Sequence, residues 1–437
     1  MSSGYRDEVV TIALNQADDN GVWYTSKLEL QLASLSLCKV CRQHRTLRLK
    51  VDDSTPRRLW AKDGPGQAKD RDRMLLDLGR SRVPPLRPRA VEWHISLDDI
   101  AWPPSLQELT LHLFLHQPIA AVTWPVSLRK LTLGVDFNQP IAGIEWPGSL
   151  RQLTFGLGFN QPIAAVTWPT SLQQLTFGAS FDHPIAEATW PASLQQLTFG
   201  ASFHQPIMAV TWPASLRQLT FGDSFNQPIS AGVWPTLLQK ITFGVHFNQP
   251  IDLVMWPPSL RQLTFGFYFN QPVAAVIWPT TLQQLTFGRK FDQPIDSVIW
   301  PASLQELTFG IFFNQPISEV AWPSSLQQIT FGCCFNQSLK GVTWPASLRQ
   351  LTFGEYFNQP PIDNVVWPAS LRLLEFGSSF NQPIVSVVWP ASLESLKFGT
   401  NFNQPIVGAV WPTTLRDLTF GSSFDQPLES VTWPSSL

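Results

Sequence analysis

The stretch WPASLQQLTFGASFHQPIMAVT, residues Trp190 to Thr211, is followed by Trp212 and Pro213, where nearly the same sequence begins again. Trp-Pro pairs mark this period, and fourteen of the fifteen intervals between them are 22 residues long while one is 23. The tryptophans of these pairs are Trp102, Trp124, Trp146, Trp168, Trp190, Trp212, Trp234, Trp256, Trp278, Trp300, Trp322, Trp344, Trp367, Trp389, Trp411 and Trp433. A tandem repeat this short predicts a solenoid whose units stack on one another.

One copy, from Trp168 onward, contains a strand-like pattern. Leu175 and Phe177 alternate with polar residues, which is the periodicity of a β-strand with one buried face, and Gly178 ends the pattern. The spacing of Val166 and Trp168 predicts a second, shorter strand before the next proline. Two prolines and one glycine in each copy leave no room for a crossover helix.

A single copy cannot fold alone, because its few apolar side chains do not offset the entropy of ordering 22 residues. Copies of one sequence stack in register, so that tryptophan meets tryptophan and the strands run parallel, about 4.8 Å apart. The sequence therefore predicts a mainly β protein, a right-handed parallel β-solenoid of 22-residue repeats. The periodic tryptophans are predicted to lie in its core rather than to form a sugar-binding stripe.

Three polar or small positions recur in every copy. The residue after the second phenylalanine is Asn, Asp or His, and we expect it to satisfy amides of the turn. Ser171 and its equivalents are Ser or Thr except at Leu237, and the same role is expected of them. Glycine follows the first phenylalanine in every copy but the first, which has His112, and this predicts a backbone position without space for a side chain.

The motif LTFG-x-x-FNQPI, followed by P-x-SL, resembles the repeat of the FNIP family, a relative of the leucine-rich repeats. The family's Phe-Asn-x-Pro stands at Phe159-Asn160-Gln161-Pro162, and the resemblance covers residues 91–437. This chain departs from the family pattern in the tryptophan before each proline and in Ser338, which replaces one proline. The resemblance implies a leucine-rich-repeat-like solenoid and a role in protein–protein contact.

Composition argues against several functions. Residues 1–90 carry 17 Lys and Arg against 11 Asp and Glu, a net charge of +6. Residues 91–437 carry a net charge of −8, which disfavours a nucleic-acid groove.

The cysteines do not form a complete metal site. Cys38 and Cys41 with His44 are at most half a zinc site, and Cys333 and Cys334 occupy variable positions. We expect no metal, no cofactor and no catalytic residues. Without a signal sequence or an apolar run of about 18 residues, the chain is expected to be cytoplasmic and not to bind a membrane.

The two residues after the repeat glycine vary freely from copy to copy, which indicates exposure at the exit of the strand. Aromatic and charged side chains cluster there over five successive copies, and such side chains anchor protein interfaces. These positions are the predicted interaction residues: Phe267, Tyr268, Arg289, Lys290, Ile311, Phe312, Glu355 and Tyr356. The competing interpretation is a loop tip that varies because nothing contacts it, and the outer strand face is the second candidate surface.

The chain divides into a divergent segment, residues 1–90, expected to act as a cap or an adaptor region, and the repeat solenoid, residues 91–437. In the segment, the alternating leucines from Leu28 to Leu37 predict strands. The stretch MLLDLGR, from Met74 to Arg80, predicts a short helix. The last copy is cut midway, so that its C-terminal edge is expected to be uncapped. Three interpretations remain open: the chain is a fragment, it self-associates through this edge, or the last strand frays. The sequence thus indicates a non-enzymatic scaffold that binds an unknown protein partner.

The alternative function follows from the resemblance. Some FNIP-repeat relatives carry an N-terminal F-box, which recruits a ubiquitin-ligase scaffold, so residues 1–90 would be a degenerate adaptor region of a substrate-recognition subunit. The segment has no convincing F-box, and the stretch Leu28–Leu49 is at most an F-box whose sequence has diverged.

Overall fold

The repeats form a parallel β-solenoid in which each 22-residue copy makes one turn, here called a rung. The structure, a computed structural model, describes residues 46–51, 73–78, 102, 105–111, 118–230, 232 and 234–437. The chain divides into two compact units, unit 1 being Met1–Phe203 and unit 2 being His204–Leu437. The described part of the chain contains strands and turns but no α-helix.

The strands of both units follow the repeat. Unit 1 contains β1 Thr46–Val51, β2 Arg73–Leu78, β3 Glu108–Leu111, β4 Lys130–Thr132, β5 Gln152–Thr154, β6 Gln174–Thr176 and β7 Gln196–Thr198. Unit 2 contains β8 Gln218–Thr220, β9 Lys240–Thr242, β10 Gln262–Thr264, β11 Gln284–Thr286, β12 Glu306–Thr308, β13 Gln328–Thr330, β14 Gln350–Thr352, β15 Leu373–Glu375, β16 Ser395–Lys397 and β17 Asp417–Thr419.

Neighbouring strands within each unit pair in parallel, and from β3 onward they follow the register of the repeat. In unit 1, Leu153 lies opposite Leu175, and in unit 2, Leu285 lies opposite Leu307. From β4 to β16 the central leucine or isoleucine of each strand is buried, whereas the residues on either side of it are half-buried or exposed. The predicted parallel, in-register solenoid is therefore confirmed.

Phenylalanine rings form the centre of each rung. Phe177 and Phe181 are both buried, and their ring centroids lie 4.1 Å apart within the rung. Between rungs, Phe159 stacks on Phe181 at 6.1 Å and Phe155 stacks on Phe177 at 5.7 Å. Each such pair contributes about 0.5–1.5 kcal/mol beyond the burial of its area, so the stacked rings bind successive rungs together.

The tryptophans form a second buried stack. Trp168 is only 6% exposed, and its ring centroid lies 6.5 Å from that of Trp146. It also meets Phe177 edge-on, with an interplanar angle of 78°. Within the described structure its Nε1 is buried with no hydrogen-bond acceptor, so the stack is stabilised by apolar burial and ring contact. The prediction that the tryptophans belong to the core is confirmed for the buried and half-buried indoles from Trp124 to Trp411, whereas Trp433 is 41% exposed.

The second strand that the sequence predicts at Val166–Trp168 is not formed, and that prediction is wrong. Val166 N donates instead to Ile163 O within its own turn, at 3.1 Å. The spacing of the rungs at this side explains the difference: the tryptophan rings of successive rungs lie 6.3–6.5 Å apart, whereas a β-ladder needs strands about 4.8 Å apart. The prolines on either side also remove two amide donors from this segment.

The short helix predicted for Met74 to Arg80 is also wrong. The chain forms β2 there, which pairs in parallel with β1 on one side and β3 on the other. Arg73 lies opposite Glu108, and Leu76 lies opposite Leu111. Backbone pairing with two neighbouring strands outweighs the weak local helix propensity of this segment. The strands predicted between Leu28 and Leu37 lie outside the described residues.

Polar side chains connect the turns of successive rungs. Asn248 Oδ1 accepts the amide of Asn270, 22 residues later, at 2.9 Å, and Gln271 Nε2 donates to the same Oδ1 at 3.1 Å. At a second position, Ser171 Oγ donates to Leu150 O at 2.7 Å. The role predicted for the asparagine position is confirmed, with the difference that the bonded amide belongs to the adjacent rung. Ser171 bonds a carbonyl oxygen of the adjacent rung rather than the turn amide that the sequence predicts.

The repeat glycine lies where two rungs touch backbone to backbone. A Cβ on Gly178 would overlap the Gly156 carbonyl oxygen and lie 2.7 Å from its carbonyl carbon. Gly310 and Gly354 in unit 2 meet the glycine of the preceding rung in the same way. The prediction of a position without space for a side chain is confirmed, and the cause is this close approach.

Candidate interaction surfaces

The two residues that follow each repeat glycine form a continuous surface, which we call the turn row. In unit 2 it comprises Asp223–Ser224, Val245–His246, Phe267–Tyr268, Arg289–Lys290, Ile311–Phe312, Cys333–Cys334, Glu355–Tyr356, Ser378–Ser379, Thr400–Asn401 and Ser422–Ser423.

Backbone hydrogen bonds fix the spacing of the turn row. The amide of the second residue donates to the carbonyl of the first residue one rung earlier: Lys290 N to Phe267 O at 2.8 Å, and Phe312 N to Arg289 O at 2.9 Å. Equivalent bonds continue toward both ends of unit 2, from His246 to Ser423. The side chains are therefore presented from a hydrogen-bonded ladder rather than from independent loops.

The aromatic residues at the second position of the pairs are exposed. Tyr268, Phe312 and Tyr356 are 44%, 41% and 53% exposed, which is high for aromatic side chains. Phe267 and Ile311, the first residues of their pairs, are half-buried. On these two rungs the second side chain therefore protrudes farther than the first.

Aromatic and cationic side chains of the turn row contact one another between rungs. The Arg289 guanidinium lies 5.5 Å from the Phe267 ring centroid, and Lys290 Nζ lies 4.2 Å from that of Phe312. The rings of Tyr268 and His246 stack at 5.2 Å. Exposed cation–π contacts of this kind contribute about 0.5–1 kcal/mol each and hold long side chains in place.

The structure thus brings most of the predicted interaction residues into one cluster. Phe267, Tyr268, Arg289, Lys290 and Phe312 form what we call the aromatic–cation cluster. Ile311 lies on the same rung as Phe312. Glu355 and Tyr356 lie two rungs farther along the row.

Cys333 and Cys334 occupy the rung between Phe312 and Tyr356. Both are free thiols and half-buried. Burial raises the pKa of the Cys334 thiol, and the neighbouring Cys333, Asp292 and Glu355 raise it further. The thiol is therefore protonated and unreactive at neutral pH, since the thiolate is the nucleophilic form.

The second predicted surface, the outer strand face, carries polar and charged side chains. Gln262 Nε2 donates to Gln284 Oε1 on the next strand at 2.6 Å, and Arg372 pairs with Glu394 at 3.2 Å. Both members of the ion pair are well exposed, so water screens it. These side chains bond to one another on a mostly polar face, with Leu373 of β15 as an apolar exception.

A third surface was missed by the sequence analysis. The residue before each repeat tryptophan is exposed wherever the structure describes it, and eight of these residues in unit 2 form what we call the outer row: Met255, Ile277, Ile299, Ala321, Thr343, Val366, Val388 and Val410. Outside this series, the same position in unit 2 holds the polar residues Thr211 and Thr432. The sequence contained the signal for it. Because the tryptophan and the residue two positions before it both face inward, the residue between them must face solvent.

The described residues contain no group of three His, Cys, Asp or Glu side chains placed to hold a metal ion. The half zinc site considered at Cys38, Cys41 and His44 lies outside those residues. Across the same described ranges, no helix is both long and apolar enough to cross a bilayer.

A shallow cleft of about 340 Å³ lies between the last rungs of the outer row and is lined by Val388, Trp389, Val410 and Trp411 among others.

Comparison with solved structures supports the fold. CroV588, a circular leucine-rich-repeat protein, is 33% identical over 92% of this chain and 66% of its own, with a TM-score of 0.69. A chain of the Toll–Spatzle complex from Drosophila has a TM-score of 0.60 at 13% identity, over 76% of this chain and 49% of its own, which shows the fold alone. This chain therefore spans about two thirds of the length of CroV588 and about half of the length of the Toll–Spatzle chain. No curated protein sequence matches it.

The family comparison matches the repeat directly. The FNIP repeat model matches residues 114–158, 159–202, 203–246, 247–290, 291–334, 335–379, 361–401 and 402–437. These matches run through the described rungs of both units, and most span two copies of the 22-residue period. The chain belongs to the FNIP repeat family.

Proposed function

We propose that this chain is a non-enzymatic scaffold that binds a protein partner through the turn row of unit 2. One observation supports the proposal most: the aromatic–cation cluster combines exposed aromatic rings with Arg and Lys on a hydrogen-bonded ladder. Aromatic residues and Arg are enriched among the side chains that dominate binding energy in protein interfaces. A rigid backbone also lowers the entropy lost on binding.

A comparison within the chain argues against a loop tip that varies freely. On two rungs of unit 1 the same positions hold only small residues, Ala179–Ser180 and Ala201–Ser202, with the same local structure. The solenoid therefore does not require aromatic or charged residues at the turn row. Exposed rings are unfavourable in water unless something covers them, and a protein partner accounts for their concentration on adjacent rungs.

The test uses the small residues that unit 1 itself contains. In the full chain, the pairs at 267/268, 289/290 and 311/312 are each changed to Ala-Ser, and proteins biotinylated in proximity to wild type and variant are compared by mass spectrometry. We expect the variant to lose a defined subset of labelled proteins. A matched control changes Ser378, Ser379 and Thr400 to Ala on the same row. Identical protein sets for the wild type and the Ala-Ser variant would contradict the proposal.

The alternative proposal, a substrate-recognition subunit of an F-box-type ubiquitin ligase, concerns residues 1–90, most of which lie outside the described part. It is supported by the family resemblance and not by the geometry of the rungs. The same labelling experiment distinguishes it, because this function requires a ligase scaffold subunit among the proteins labelled by the full chain.

A further inference from the structure

The outer row of unit 2 is apolar and strongly exposed. Its six large side chains are 75–83% exposed, more than any aromatic residue of the turn row. They are Met255, Ile277, Ile299, Val366, Val388 and Val410. Single exposed apolar residues are common on protein surfaces, but an aligned series on successive rungs marks an interaction site.

The fold does not require apolar residues at this position. In unit 1 the residues before the tryptophan are Thr123, Glu145, Thr167 and Thr189, all of them exposed. The rungs of the two units otherwise share the same buried columns and the same backbone hydrogen bonds. The change from polar to apolar residues is therefore a property of the surface of unit 2.

The neighbouring column also lacks charge. The residue after each repeat proline is exposed, and on the same eight rungs it is Pro258, Thr280, Ala302, Ser324, Ala346, Ala369, Ala391 or Thr413. With the outer row this makes sixteen adjacent exposed positions without a charged side chain. A surface of this kind offers no electrostatic complement to a charged partner, but it matches another uncharged, apolar strip.

We propose that the outer row is a two-fold interface with a second copy of this chain. Each Val, Ile or Met side chain hides roughly 60–120 Å² when it is fully buried, by the usual conversion of transfer energy to area. Six such residues, with Leu253 and the alanines beside them, supply about the 800 Å² per partner that a standard stable interface buries. This surface is separate from the turn row and from the C-terminal edge.

A two-fold axis fits the order of residues along the row. The row spans eight rungs, and its middle lies between Ala321 and Thr343, where the side chains are shortest. An antiparallel second copy then places Ile277 against Val388 and Ile299 against Val366. Such an arrangement is closed, because each residue that contacts a partner position is contacted in return.

The oligomeric state tests the proposal. Sedimentation equilibrium of the full chain between about 1 and 100 µM should show a monomer–dimer equilibrium. The variant Ile277→Thr, Ile299→Thr, Val388→Thr should weaken dimerisation by at least about 100-fold, since each copy loses three apolar contacts. Threonine is the residue that unit 1 carries at this position, so the variant should fold, and amide exchange of unit 2 verifies that.

A matched control changes three exposed apolar residues outside the row, Val126, Val135 and Leu157, to Thr. This control should dimerise like the wild type. A monomeric wild type at about 100 µM overturns the proposal, and so does equal dimerisation of wild type and the outer-row variant. The Ala-Ser variant of the turn row should remain dimeric, so that a failed partner test and a failed dimer test are distinguishable.

Disulfide crosslinking tests the arrangement. A variant with Ile299→Cys and Val366→Cys should form a covalent dimer under mild oxidation, whereas one with Ile299→Cys and Val410→Cys, mismatched by two rungs, should not. The wild type reports the background from its own cysteines. Crosslinking of the mismatched pair alone would overturn the two-fold arrangement.

Discussion

The close approach of the repeat glycines gives the sharpest prediction of stability. Replacing Gly178 by Ala adds a Cβ that overlaps the carbonyl oxygen of Gly156 and lies 2.7 Å from its carbonyl carbon, where an ordinary contact begins at 3.4 Å. The atoms in the way are backbone, so no side-chain rotation relieves the overlap. The two rungs must move apart at this point.

The size of the effect follows from the contacts that this movement breaks. Ser180 N donates to Leu157 O at 2.9 Å, Phe181 N donates to Gly178 O at 3.1 Å, and both bonds depend on the position of this turn. Two hydrogen bonds contribute about 1 kcal/mol each, and the strain imposed on the neighbouring phenylalanine core adds roughly 1–3 kcal/mol. We expect a local destabilisation of about 3–5 kcal/mol.

Hydrogen exchange measured by mass spectrometry is the suitable assay, because repeat arrays open locally and do not unfold in one step. Amides of β6 and β7 in Gly178→Ala should exchange roughly 100- to 4000-fold faster than in the wild type. Gly148→Ala in the same unit is the matched control, because nothing lies within 4 Å of its Cβ. Equal protection of β6 in the two variants would refute the proposed steric role.

Three further predictions concern the polar connections and the thiols. Asn270→Ala removes the acceptor of the Asp292 amide and of a glutamine side chain, and should cost about 1–3 kcal/mol, measured as faster exchange of peptides containing Asp292. Ser171→Ala removes one bond to Leu150 O and should cost about 1 kcal/mol; an unchanged exchange rate in that turn would contradict this. Because burial raises the pKa of the Cys334 thiol in the folded state, its contribution to stability is present below the ordinary thiol pKa and is lost as the pH rises above about 8.5. Its alkylation should accordingly be slower than that of an unfolded control at pH 8, and equal rates would contradict the shift.

The core was predictable because the repeat amplifies weak local patterns. Leu175 and Phe177 form only a short alternation in one copy, but the same alternation recurs on every rung and leaves one consistent register. Trp168 was placed in the core for the same reason, and the structure confirms both positions. The parallel solenoid and its buried columns were therefore predictable from the sequence.

The failed predictions depended on distances that a sequence does not contain. The extended segment at Val166 has the pattern of a strand, but the tryptophan rings of neighbouring rungs lie 6.5 Å apart at this side, a spacing too wide for a ladder. Met74 begins a segment whose pattern suits a helix or a strand, and pairing with both neighbours decides the outcome.

The surfaces were only partly predictable. Variation between copies located Tyr268 and Lys290 on an exposed row, but the contacts with Phe312 and His246 required coordinates. The sequence pattern used to find surfaces was variation from copy to copy. The outer row does not stand out by this pattern, because neighbouring copies often carry similar residues there. Ile277 lies in a column that is Thr or Glu on the described rungs of unit 1 and mostly apolar between Met255 and Val410 in unit 2.

The hydrogen bonds between rungs have a consequence for how such a chain can change in evolution. Asn248 bonds to the amide 22 residues later, and each donor or acceptor finds its equivalent partner in any neighbouring copy. Duplication or loss of one whole copy inside the array therefore leaves every bond with a partner of the same kind. Gene length can thus change by 66 bases while hydrogen bonds of this kind between neighbouring rungs are kept, and the turn row lengthens or shortens by one pair of residues each time.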